Sequence, residues 1–195
     1  MASNKWREAS VPPTSKGDGQ GPRDDERHSL PATLVIGLGN SLRGDDGVGV
    51  RVAQILAAQA LPDDVEVVDG GTQGLGIVNL MEGRQRVVLV DAADVGIDSG
   101  EFVRFTLDEA RLLGDDRHLS VHAAGLRDAL LLAQALEVLP DEVVIFGVQP
   151  ANLEWDSTLS PQVEAALPSL VAAVWAEVAV SDQWPMLGIS PQADC

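Results

Sequence analysis

The chain predicts a single doubly wound α/β domain: three layers, a mostly parallel five-stranded sheet, and helices on both of its faces. Two observations predict it. Short apolar runs alternate with longer helical patterns along the chain. Two of the runs, TLVIGLG (33–39) and RVVLVDAA (86–93), are apolar on both faces, as strands inside a parallel sheet must be. The length of 195 residues suits one such domain and no more.

Each element can be justified in turn. TLVIGLG ends in glycine, and GVGVRVAQILAAQA (47–60) follows as a helix whose wet side is marked by Arg51 and Gln54. VEVVDG (65–70) is a second strand, with a short helical stretch near 74–82. RVVLVDAA is the third. EFVRFTL (101–107) alternates apolar and polar residues and predicts an edge strand, followed by a charged loop over 108–119. HAAGLRDALLLAQALEV (122–138) reads as a largely apolar helix with Ser120 as its N-cap, and VVIFGV (143–148) as a buried strand. SPQVEAALPSLVAAVWAEVA (160–179) closes the domain, with a kink or restart expected at Pro168.

Domain limits follow from composition. Residues 1–31 are rich in Pro, Gly, Ser and charge and predict a disordered extension, 32–180 the folded domain, and 181–195 a tail. The extension lacks the apolar core of a signal peptide, and no run approaches the ~18 apolar residues of a membrane span. The expectation is therefore a cytoplasmic protein with no membrane partner, and a monomer.

Charge narrows the chemistry. The first thirty residues hold five Lys/Arg and five Asp/Glu, so the net charge of −17 belongs to the rest, which has eight arginines and no lysine. Such a field repels nucleic acid. The one cysteine is the terminal Cys195, which removes disulfide frameworks and zinc-finger sites. Without lysine, Schiff-base and Ser-Lys chemistry are absent. Only His118 and His122 remain in the domain, so the chemistry falls to carboxylates, imidazole, hydroxyls and backbone.

The informative stretch is LGNSLRGDDGVG (38–49), a glycine-rich turn with two adjacent aspartates. It is not a dinucleotide loop, because Leu42 stands where the third glycine of GxGxxG belongs, and it lacks the Gly-Lys-Ser/Thr of a phosphate loop. Ser41, Asp91 and His122 occur in serine-hydrolase order, yet the elbow glycine is replaced by Arg43 and the helix starts late. In a doubly wound sheet, ligands bind at the carboxyl ends of strands where the winding reverses. With the first strand between the second and third, Asp46 and Asp91 meet at that crevice, while Asp45 faces solvent or caps the helix. His122, at a helix start that favours the neutral ring, completes a set of two carboxylates and an imidazole suited to nickel or zinc.

Four segments, LVIGLGNSLRGDDGVGVRV (34–52), VEVVDGGTQGL (65–75), VVLVDAAD (87–94) and SVHAAGLRDAL (120–130), resemble the hydrogenase maturation proteases. GVQP (147–150) and LSPQVEAAL (159–167) follow in the family's order, so the resemblance spans about residues 33 to 180. It implies an endopeptidase that trims the C-terminal extension of the nickel–iron hydrogenase large-subunit precursor. It also implies that Asp46, Asp91 and His122 recognise nickel brought by that precursor. Two mechanisms then stand open: the nickel polarises the scissile carbonyl or a water with a carboxylate as base, or the metal only positions the substrate and Asp46 or Asp91 activates water directly. The loop Asp69-Gly70-Gly71-Thr72 would then border the peptide groove. The competing readings are a nickel-sensing chaperone that leaves its partner uncut, and the Ser41/Asp91/His122 hydrolase.

Overall fold

The computed structural model describes residues 30–112 and 123–179. Five strands form one sheet in the order β2-β1-β3-β5-β4. They are β1 (Thr33–Leu38), β2 (Val65–Gly71), β3 (Arg86–Ala92), β4 (Phe102–Thr106) and β5 (Glu142–Val148). All neighbours are parallel except β4, which runs antiparallel to β5 at the edge. The alternation of Phe102–Thr106 is what an edge strand with one covered face needs.

Period-two alternation divides the strand residues between two apolar layers. Val35, Val88, Val90, Ala92, Val144 and Phe146 face α1 (Val48–Ala57) and α5 (Pro161–Val178), where Trp175 is fully enclosed. Leu34, Ile36, Leu38, Val87, Leu89 and Ile145 face α2 (Val78–Met81) and α4 (Ala123–Ala135). Because β1 supplies both layers, it reads as an unbroken apolar run. Each buried Val, Leu or Ile contributes roughly 1.5–3 kcal/mol of transfer free energy, which fixes which strands are central.

The chain leaves β1 through α1 toward β2, and leaves β3 in the other direction toward β5 and β4. The winding therefore reverses between β1 and β3, as the sequence predicts.

Three local expectations are corrected. The charged loop begins as a helix, α3 (Leu107–Leu112). Its start is a reciprocal cap: Thr106 donates its amide to Glu109 Oε2 at 2.7 Å, and Glu109 donates its own amide to Thr106 Oγ1 at 3.3 Å. The signal T-x-x-E is in the sequence. Pro168 does not restart α5, which runs unbroken from Pro161 to Val178. It lies on the exposed face, where water can serve the carbonyl that proline leaves without an amide. The third correction concerns Asp45 and belongs to the site.

Candidate active site

Two buried aspartates, Asp46 and Asp91, stand at the switch point. The turn Gly44–Gly47 is a 3₁₀ turn that leads directly into α1 and packs against β3. Asp46 is 0% exposed, and its Oδ2 accepts the amide of Asn40 at 3.0 Å. Asp91 is 3% exposed at the end of β3, opposite Gly147 of β5. Strand alternation puts Asp91 on the face of Val87 and Leu89, the face covered by α4.

Glycine is what lets these ends converge. A Cβ on Gly49 would lie 2.1 Å from the Val90 carbonyl oxygen and 2.4 Å from that of Leu38. The first turn of α1 is thus seated on the last residues of β1 and β3 together. Gly39, with φ of 118°, would place a Cβ 1.7 Å from the Asp46 carbonyl oxygen. Both glycines make these close contacts with the chain itself.

Asp45 neither faces solvent nor caps α1. It is 0% exposed and holds the loop after β5. Its Oδ2 accepts the amides of Ala151 at 2.8 Å and Asn152 at 2.9 Å, and its Oδ1 accepts that of Ser160 at 2.6 Å. The partners lie more than a hundred positions away, so adjacency to Asp46 and to a helix start was the wrong guide. Three amide donors meet the demand of a buried carboxylate.

His122, together with Ser120 and His118, lies outside the described residues. It directly precedes Ala123, the first residue of α4. The start of α4 packs against the turn that follows β2: a Cβ on Gly125 would sit 3.4 Å from the Gly74 Cα. That start is therefore at the carboxyl edge of the sheet, on the face that Asp91 shares. Among the described residues, which exclude His122, no group of three or more His, Cys, Asp and Glu could hold a metal ion.

Other residues of the motifs shape loops. Asp69 is exposed and its Oδ1 accepts the Gly71 amide at 2.9 Å, fixing the end of β2. Gln149, which the sequence reading passed over, holds the segment after Asp91. Its Oε1 accepts the amides of Val95 and Gly96, both at 2.9 Å, and its Nε2 donates to Asp94 at 3.3 Å. Ser41 is exposed and lines a cleft of about 540 Å³ with Arg51, Gln54, Thr158 and Glu164. Neither Asp46 nor Asp91 lines that cleft.

The rim of the crevice carries large exposed apolar side chains. Leu42 follows β1, Leu75 follows β2 and Trp155 follows β5, and they are 58%, 52% and 78% exposed. Among the described residues no helix is long and apolar enough to cross a membrane.

A doubly wound sheet with buried carboxylates at its switch point defines a class: α/β proteins that bind, and in many cases hydrolyse, at the carboxyl edge. Comparison with known proteins sharpens this. The family described as hydrogenase maturation protease matches residues 50–177. The hydrogenase expression/formation protein HupD of Bradyrhizobium diazoefficiens is 38% identical over 132 residues, 67% of this chain and 69% of that protein. The hydrogenase 2 maturation protease of Escherichia coli is 33% identical over 146 residues, 72% of this chain and 89% of that protein. Among solved structures, the hydrogenase maturating endopeptidase HybD from E. coli superposes with a TM-score of 0.68 at 32% identity, covering 74% of this chain and 90% of that one. The [NiFe] hydrogenase maturation protease HybD from Thermococcus kodakarensis gives 0.66 at 29% identity, covering 75% and 99%. The chain belongs to the hydrogenase maturation protease family and is a peptidase.

Proposed function

We propose that the protein removes the C-terminal extension of a nickel–iron hydrogenase large-subunit precursor, and that Asp46, Asp91 and His122 recognise the nickel that this precursor carries. One observation carries the reading: Asp46 and Asp91 are both buried at the ends of neighbouring structural elements, β1-to-α1 and β3, at the point where the winding reverses. Carboxylates and imidazole are ligands that nickel accepts. The metal belongs to the substrate, and when present it would polarise the scissile carbonyl.

The chain's own residues do the rest. One of the two aspartates accepts a proton from water as the water oxygen bonds to the carbonyl carbon. The proton then passes to the departing amide nitrogen as the peptide bond breaks. The exposed Leu42, Leu75 and Trp155 in the loops after β1, β2 and β5 suit a folded protein partner, with Trp155 as the residue type that most often anchors such contacts.

The experiment is cleavage of a purified precursor, nickel-loaded and nickel-free, read by intact mass. Loss of a C-terminal peptide from the loaded form alone is the expected result. Equal cleavage of both forms removes the metal-recognition part. No cleavage with binding retained favours the chaperone.

A further inference from the structure

We propose that Asp45 is a positioning residue: by welding the 151–160 loop to the turn, it sets the direction in which Asp46 is presented. The inference rests on the proposed function above for its activity readout, but its structural readout does not.

The two aspartates are adjacent in a single 3₁₀ turn, and both are fully buried. Their carboxylates serve opposite purposes. Asp45 is consumed by the chain, with three amide donors from Ala151, Asn152 and Ser160. Asp46 receives the amide of Asn40, six positions back. The turn's internal bonds, Arg43 amide to Asn40 carbonyl at 3.0 Å and Asp46 amide to Arg43 carbonyl at 3.1 Å, close it on itself but fix nothing outside it.

The loop adds external fixation to that given by β1 and β3, on which the first turn of α1 is seated. Asp45 donates its amide to the Asn152 carbonyl at 2.9 Å, and Gly44 donates to the Asp156 carbonyl at 2.7 Å. Arg43 Nη2 donates to the Leu153 carbonyl at 3.1 Å. The Asp45 side chain adds two points of attachment at one end of the loop and one at the other, where Ser160 starts α5. A short turn held at both ends of a facing loop cannot rotate about its own axis. Rotation is the motion that would swing Asp46 out of the crevice.

Three variants test this. Asp45→Asn keeps the shape but turns one acceptor oxygen into a donor facing amide donors. Ser160→Pro deletes the one amide at Oδ1, and Ser160→Ala removes the capping hydroxyl while keeping that amide, so the difference between the last two isolates the Asp45 contact. The structural readout is hydrogen exchange of the Asn40 amide, which reports the Asp46 contact directly. The expected result is at least tenfold faster exchange at Asn40 in Asp45→Asn, with strand amides such as Val144 unchanged. In Ser160→Pro the acceleration at Asn40 should exceed that in Ser160→Ala. In the precursor assay, kcat should fall tenfold or more with KM unchanged.

Loss of protection at Ala151, Asn152 and Ser160 with none at Asn40, and unaltered kcat, would make Asp45 a loop staple only and overturn the proposal. If Asp45→Asn fails to fold, the Ser160 pair alone decides. If the wild-type chain cleaves no precursor, the function is wrong, while the Asn40 exchange still judges Asp45.

Discussion

At the amino edge of the sheet, Arg86 at the start of β3 pairs with Glu142 at 3.1 Å and with Glu177 at 2.7 Å. Arg104 of β4 reaches the same Glu177 at 2.9 Å, and Arg84 meets Glu66 at 2.5 Å. At the carboxyl edge, Asp45 is held by three backbone amides and, among the described residues, by no guanidinium. The edges thus manage carboxylates by different means. A carboxylate bound to arginine is neutralised by a fixed cation and has no call for another. One held by amides keeps its negative field, and an edge built this way can receive a cation from outside. On the proposed function, the first edge serves structure and the second serves chemistry.

The largest effect should come from breaking the chemical edge. Asp91→Ala is expected to reduce precursor processing by about a hundred- to ten-thousand-fold, the range of a lost general base. Circular dichroism should show the fold intact. Normal processing by the folded variant would move the site elsewhere.

Next is a test of how tightly that edge is built. In Gly49→Ala the new methyl meets two backbone carbonyl oxygens that belong to the strands, so neither can move aside cheaply. A loss of roughly 3 kcal/mol or more is expected, in the range reserved for overpacking and backbone strain. Denaturant unfolding would measure it; a loss below about 1 kcal/mol would mean that α1 is free to shift.

Much of this was legible in the sequence, for a physical reason. Strands buried on both faces must be continuously apolar, so β1 and β3 announce their central place, and the switch point with Asp46 and Asp91 follows from that. The Thr106–Glu109 cap is equally legible in its T-x-x-E spacing. Asp45 was not, because its burial depends on a loop 106 to 115 positions away. The Arg86–Glu177 and Arg104–Glu177 pairs span 91 and 73 positions and carry no local signature. Local chemistry is readable from spacing, whereas contacts made by the closing of the sheet are not.

A smaller effect tests the structural edge. Glu177→Ala removes the carboxylate shared by Arg86 and Arg104, whose guanidinium Glu177 holds even more firmly protonated than usual. Arg86 and Glu177 side chains are only 25% and 16% exposed, which sets this pair apart from an open surface bridge. The expected cost is about 1–2 kcal/mol, a few degrees in Tm, with kcat unchanged. A fall in kcat measured well below the melting temperature would show that the edges communicate.

The smallest effect lies in the loop that faces the turn. Thr158 donates both its hydroxyl and its amide to Asp156 Oδ1, at 2.9 and 3.0 Å, and holds that carboxyl below its ordinary range. A depressed folded pKa contributes stability above the unfolded value and loses it as pH falls through the folded one. Thr158→Val removes the hydroxyl, so the stability gap between wild type and variant should narrow as the medium is acidified toward protonation of Asp156. A gap that stayed constant or widened in acid would show that the hydroxyl does not stabilise the ionised form of Asp156.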